Sequence, residues 1–224
     1  MTPWRGGGII GDPARTCGDI QLVDYEWYYN WSPTPYCPNA GVPFVPMVHG
    51  SFKTLPPNLY QPGALLTFNE PDATGLTVDT ALDLWPELEE TGRKLSSPAT
   101  TATPRGTSWL AEFMVRAVAR DLRVDFLAAH WYGANPTDLV NYLTSLSARY
   151  DLPIWLTEFC CYGGSVMDNA RFARTVGPRL AELPFLSRVG WFANRSVAGG
   201  YEGAGLVSSG GVTMVGSAYR AWQR

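Results

Sequence analysis

The chain has 224 residues, a formal net charge of −3, 46% apolar residues and only 17% charged ones. That charge leaves no clustered basic face for nucleic acid or an anionic membrane, and no apolar run approaches the roughly 20 residues of a membrane span. The length fits one domain over residues 1–224, acting as a monomer.

Short apolar or β-branched runs alternate with longer segments of helical periodicity, which is the pattern of βαβ units around a parallel sheet. In chain order the strand candidates are Gly6–Ile10, Tyr25–Trp31, Val42–Val48, Ala64–Phe68, Lys94–Ser97, Val124–Ala129, Ile154–Thr157 and Val189–Ala193. Eight strands predict an α/β fold, a compact (β/α)8 TIM barrel. The helical segments are Val78–Glu90, Thr107–Arg120, Pro136–Tyr150 and Asn169–Glu182. Ser108 is a candidate cap for the helix whose apolar face holds Leu110, Phe113, Met114 and Ala117. The early connections carry Pro33, Pro35 and Pro38, then Pro56, Pro57 and Pro62. Prolines at that density forbid a long helix, so the barrel is expected to be lopsided, with its early helices reduced.

Aromatic residues make up 13% of the chain, including nine Trp and eleven Tyr. Trp and Tyr offer flat apolar faces with a polar handle, and the C–H face of a pyranose stacks on such rings. Cys17, Cys37, Cys160 and Cys161 allow three pairings; a bridge between the adjacent Cys160 and Cys161 fits relaxed disulfide geometry poorly. Two disulfides would imply an oxidising, extracytoplasmic compartment. Met1-Thr2-Pro3-Trp4 lacks signal-peptide character, so a leader removed ahead of it is expected. With two His and no CxxC, no metal site and no cofactor are expected.

Two carboxylates close apolar strands: Glu70 after Leu65-Leu66-Thr67-Phe68, and Glu158 after Ile154-Trp155-Leu156-Thr157. Barrel active sites sit where strands end, and an ionisable residue there is costly unless it faces an open polar site. Cleaving a glycosidic bond needs two carboxyl groups flanking it, one protonated and one ionised. His130, Trp131 and Tyr132 close the sixth strand, where Tyr132, ahead of His130, is a donor that keeps Glu158 ionised. Alternation lets only some of these three face the mouth. His130, and likewise His49 at the end of the third strand, reads equally as a satisfied core residue.

The strings Phe68-Asn69-Glu70-Pro71-Asp72, His130-Trp131-Tyr132-Gly133, Trp155-Leu156-Thr157-Glu158-Phe159 and Gly190-Trp191-Phe192 together resemble glycoside hydrolase family 128, a family of β-1,3-glucanases and related glucan-recognising proteins on a compact barrel. The resemblance runs from about Arg5 to the C-terminus. It implies a retaining endo-β-1,3-glucanase, with Glu70 as general acid/base and Glu158 as nucleophile. It also implies that Asn69 holds the sugar 2-hydroxyl and that Trp191 floors the central subsite, although Trp191 fits barrel-core packing as well. The implied partner is a β-glucan of the laminarin or curdlan type. A glucan-binding protein without catalysis and a glycosidase of β-1,4-glucan or mannan stand as alternatives. Cys160-Cys161 follows the nucleophile where the family pattern has Gly.

Further candidate contacts are Tyr28, Asn30 and Trp31 at the end of the second strand, with Trp31 as a stacking platform for a distal glucose. Asn194 and Arg195 are candidates for hydroxyls or Glu158. Tyr201 lies in a Gly-rich rim expected to be mobile. That rim lacks GxxxxGK[ST], so it holds no nucleotide phosphate. No GxSxG supports a serine hydrolase.

Overall fold

A computed structural model describes residues 3–222, so Met1 and Thr2, on which the leader expectation turns, lie outside the described residues. Strands β1 (Trp4–Gly8), β2 (Trp27–Tyr29), β5 (Leu127–Tyr132), β6 (Ile154–Cys160) and β7 (Leu186–Trp191) form one sheet in the order β2-β1-β7-β6-β5, with every pair parallel. Strands β3 (Ala64–Leu65) and β4 (Lys94–Leu95) pair separately. Parallel bridges close the circle: Ser96 and Thr100 meet Phe126 and Ala129, Met47 meets Leu66, and Tyr28 meets Phe44. The result is the ring of eight staves of a (β/α)8 barrel.

The third stave, predicted as a strand over Val42–Val48, is reduced to these bridges. Pro43 and Pro46 explain this. Their carbonyls accept from Tyr28 and Leu66, but neither residue has an N–H to return the bond. Between β2 and β3 only a 3₁₀ turn at Pro57–Leu59 forms, so the lopsidedness expected from the prolines is observed. The first connection holds two single-turn helices, α1 (Pro13–Thr16) and α2 (Asp19–Leu22). A Cys17–Cys37 disulfide ties this connection to the loop after β2, while Cys160 and Cys161 are buried free thiols.

After β3 comes the short α3 (Pro71–Thr74), and then the full-length helices α4 (Val78–Glu90), α5 (Pro104–Ala119), α6 (Pro136–Tyr150) and α7 (Val166–Ala181). Helix α5 starts earlier than predicted, because Thr103 rather than Ser108 caps it, accepting from the Gly106 N–H with Pro104 opening the first turn. Ser165 and Asp168 build a reciprocal capping box on α7. A hairpin, β8 (Val207–Ser208) with β9 (Gly211–Val212), and α8 (Met214–Arg220) complete the described chain; no sequence signal was read for either.

Apolar packing divides into two layers. Trp27, Tyr29, Val45, Met47, Leu66, Phe126 and Trp155 fill the barrel interior. The larger layer, which includes Trp85, Phe113, Phe159, Trp191 and Tyr219, lies between barrel and helices. In β5 the split follows strand alternation: Leu127, Ala129 and Trp131 pack outward, leaving His130 and Tyr132 for the interior.

Candidate active site

Glu70 follows β3 at the point where Asn69 bridges Ala99 and the Glu70 N–H donates to the Ala99 carbonyl at 2.7 Å. Its φ of 42° and ψ of 53° are left-handed, a conformation costing about 1 kcal/mol or more in a residue with a Cβ. The surroundings hold it there. Pro71 opens α3 directly behind it, and the buried Asp72 carboxylate accepts from the Thr101 N–H (3.1 Å) and hydroxyl (2.6 Å).

Glu158 is aimed by a β-bulge. In β5, Ala129 and His130 are consecutive, but they face Leu156 and Glu158 of β6, and on the other side Val189 and Trp191 span Leu156 to Phe159. One extra residue in β6 thus separates Trp155 and Thr157 from Phe159. Strict alternation would turn Glu158 outward beside Leu156; the bulge points it inward instead. Its Oε1 accepts from the Trp31 indole N–H at 2.8 Å and from the Tyr29 hydroxyl at 3.2 Å, whose one proton is shared with the Thr157 carbonyl at 3.1 Å, and its Oε2 accepts from the Tyr132 hydroxyl at 2.5 Å. With three donors and no acceptor in hydrogen-bond contact among the described residues, this is a setting for a carboxylate. Burial, followed by the charge of Glu158, pushes the hydroxyl ionisations of Tyr29 and Tyr132 well above the ordinary tyrosine range, so both stay neutral donors.

His130 stands between the two carboxylates with 1% of its side chain exposed. Its Nδ1 is 2.9 Å from Glu70 Oε1 and its Nε2 is 3.6 Å from Glu158 Oε1. Burial disfavours its charged form, yet Glu158, then Glu70 and Asp72, outweigh that and raise its pKa above the ordinary histidine value. Burial likewise acts against the charge on Glu70, but His130, with a smaller contribution from His49, lowers its pKa overall. Glu70, His130 and Glu158 are also the one group of three potential metal ligands among the described residues. Nδ1 is already engaged with Glu70 in this arrangement, which suits proton and charge chemistry better than shared coordination.

Several predicted residues join this centre. Trp31 does so as a donor to Glu158 rather than as a distal platform, and it also has a left-handed φ of 53°. Asn69 is buried, and its Oδ1 has no hydrogen-bond partner among the described residues. His49 is exposed on the rim, close enough for its charge to act on Glu70. Tyr201 packs edge-on against Tyr132 (5.2 Å) and Phe192 (4.8 Å). The Gly-rich rim carrying Tyr201 is a closed turn, because the Glu202 carboxylate accepts from the Gly199 and Gly200 N–H groups.

Six predicted contacts lie elsewhere. Tyr28 points outward, is 1% exposed and donates to the Cys37 carbonyl. Asn30 is buried and binds the Thr34 carbonyl within its own loop. Trp131 alternates away from the mouth and packs on Tyr142 of α6 at 5.4 Å. Trp191 is fully buried against Phe159, Phe172 and Tyr219, and donates to the Ala204 carbonyl. Asn194 and Arg195 both bind the Asp19 carboxylate, clamping the loop after β7 to α2. Their neighbours Tyr29 and Phe192, which sequence reasoning passed over, occupy the inward positions instead. Phe192 meets Trp31, Tyr132 and Tyr201 edge-on and forms the aromatic floor beside Glu158. The available signal was parity: Trp27 and Tyr29 share a face, as do Val189 and Trp191.

A closed parallel barrel with two carboxylates at the C-terminal ends of its strands is a framework suited to hydrolysing glycosidic bonds. The glycosyl hydrolase catalytic core family matches residues 14–219. The chain is 32% identical to an endo-β-1,3-glucanase of glycoside hydrolase family 128 (subgroup I) from Amycolatopsis mediterranei, solved with laminaritriose; the match covers 98% of this chain and 99% of that one, with a TM-score of 0.86. A subgroup II endo-β-1,3-glucanase from Sorangium cellulosum is 28% identical, with 99% of each chain covered and a TM-score of 0.82. Alkali-sensitive linkage protein 1 of Schizosaccharomyces pombe is 34% identical over 217 residues, 87% of this chain but only 40% of that protein. The chain belongs to glycoside hydrolase family 128, within the glycosyl hydrolase catalytic core family.

Proposed function

We propose that this hydrolase cuts β-1,3-glucan internally with retention of anomeric configuration, with Glu158 as nucleophile and Glu70 as general acid/base. The observation that carries the mechanism is the spacing of the carboxylates. One oxygen of Glu70 and one of Glu158 lie within 4.8 Å of each other, which supports the roughly 5–5.5 Å carboxyl separation of retaining enzymes over the roughly 6.5–9.5 Å of inverting ones. The roles follow from the surroundings. Glu158 is 5% exposed and held by three donors, as a nucleophile must be. Glu70 is 25% exposed, so it can reach a leaving oxygen and then a water.

Glu70 must carry a proton to act as acid, whereas in the free site His130 lowers its pKa against the effect of burial. A neutral glucan covering the mouth removes water from the exposed part of this carboxyl and so favours its uncharged form. Phe192, Trp31, Tyr132 and Tyr201 offer apolar ring surface for a pyranose, and the Asn69 Oδ1, without a partner among the described residues, supports a role as acceptor for the sugar 2-hydroxyl. The β-1,3 linkage and internal cutting are supported by the endo-β-1,3-glucanases to which the chain is similar, one of them solved with laminaritriose. The Cys17–Cys37 bridge supports an extracytoplasmic setting, and action as a single-domain monomer completes the reading.

The test is incubation with laminarin, curdlan, cellulose and mannan, with products sized and the first-formed anomer read by NMR. Short β-1,3 oligosaccharides with β configuration, lost by orders of magnitude in Glu158→Gln, are expected. Products of α configuration would overturn retention, and products from cellulose or mannan alone would overturn the linkage.

A further inference from the structure

We infer that His130 is a positioning residue, an imidazolium shared as counterion by both glutamates, and that it stays charged while the negative charge passes from one to the other. This rests on the acid/base and nucleophile roles proposed above. The ring is almost fully buried, with Nδ1 2.9 Å from a Glu70 oxygen and Nε2, which has no hydrogen-bond partner among the described residues, 3.6 Å from a Glu158 oxygen, within ion-pair distance. The groups facing it are Glu70 behind β3, Asp72 of α3, Tyr132 of β5 and Glu158 of β6; of these only the carboxylates carry charge, and all are negative. No Arg or Lys is paired with Glu70 or Glu158 among the described residues. Without His130 two carboxylates would stand within 4.8 Å with no cation in contact, an arrangement in which like charges cannot both ionise cheaply.

The charge accounting gives the ring its use. With glucan bound, Glu70 is protonated, Glu158 is ionised, and the imidazolium balances Glu158. In the first step a Glu158 oxygen bonds the anomeric carbon while the glycosidic C–O bond breaks. The electron pair goes to the leaving oxygen, which takes the Glu70 proton. Glu158 is now a neutral ester, Glu70 is a carboxylate, and the same imidazolium balances Glu70 through Nδ1. In the second step the oxygen of water bonds the anomeric carbon, its proton goes to Glu70, and the ester electron pair returns to Glu158. The charge of the three groups together is unchanged throughout, so neither step has to create or destroy net charge in a water-poor site.

Imidazole ¹⁵N NMR of the free protein tests this without any substrate, and His49, the other histidine and an exposed one, serves as internal reference. Both His130 ring nitrogens are expected to remain protonated above pH 6.5, the ordinary histidine value. Glu70→Gln and Glu158→Gln should each move its titration midpoint down. A His130 that is neutral at pH 6, or whose midpoint responds to only one of the two substitutions, would overturn the proposal. Kinetics give a second reading. In His130→Gln the loss of the cation removes the interaction that favours the Glu70 carboxylate, so the limb of the kcat/KM pH profile set by Glu70 should move to higher pH as the maximum falls. A lower maximum with unmoved limbs would show a structural role only. If no glucan is hydrolysed, the functional reading fails, and the NMR titration still decides the state of His130.

Discussion

Each oxygen of Glu158 has its own donor, and these donors are unequal. Among the described residues Tyr132 is the only donor to Oε2 and the closest of the three, at 2.5 Å, whereas Tyr29 shares Oε1 with Trp31. Hydrogen bonds to charged groups contribute about 1.5–3 kcal/mol. Tyr132→Phe is therefore expected to lower kcat/KM on laminarin roughly 10- to 100-fold, and Tyr29→Phe to do less; steady-state kinetics with both variants checks the order. The raised pKa of His130 also bears on stability. A group whose folded pKa exceeds its unfolded value contributes in full below the unfolded value, about 6.5 for histidine, and the contribution disappears as pH rises through the folded value. Thermal melts from pH 6 upward should therefore show a loss of stability that is missing in His130→Gln. At this scale the sequence was informative about chemistry. Glu70, Glu158, His130 and Tyr132 stood out because each is a polar residue ending an apolar run.

At the scale of the elements, pointing decides. Strand β1 is glycine-rich because the interior needs the space: a Cβ on Gly8 would lie 2.1 Å from the Trp31 ring. Gly8→Ala should displace that ring from Glu158 and destabilise the fold by about 1–3 kcal/mol, as overpacking does. A large fall in kcat together with a lower urea midpoint is the expected pair of results. Full activity in this variant would show that the Trp31 contact is dispensable. The bulge in β6 is the other deciding device. It was not legible because a run such as Ile154-Trp155-Leu156-Thr157 reads the same with or without an extra residue, and the extra residue is defined only by registry with β5 and β7. The exchange of Tyr28 for Tyr29 and of Trp191 for Phe192 has the same origin. Adjacent aromatic residues are alike in composition and opposite in direction.

Across the whole molecule, the half of the barrel with poor helices is held by other means. The Cys17–Cys37 bridge closes a loop of 20 residues in sequence, worth about 3 kcal/mol by the chain-entropy relation. The Cys17→Ser, Cys37→Ser double variant should melt at a lower temperature, and reducing agent should lower the melting point of the wild type but not that of this variant. Further links secure the same region: Arg93 reaches the Asn58, Leu59 and Ala64 carbonyls, and Asn194 with Arg195 grips Asp19. At the barrel's other end the Arg188 guanidinium lies 4.1 Å from the Trp155 ring centroid and near those of Trp27 and Trp4, giving the interior an aromatic and cationic floor.

The sequence by itself determined the periodicity of strands and helices, the poverty of the early helices and the two carboxylates at strand ends. All of these depend on local chemistry: proline lacks an N–H, and an ionisable residue seldom ends a buried run without a purpose. Only the tertiary structure decided which cysteines pair, which member of each aromatic doublet faces the mouth, and that His130 lies between Glu70 and Glu158. Those outcomes depend on register and ring closure, where contacts between residues distant in the chain, and not any local preference, set the direction of a side chain.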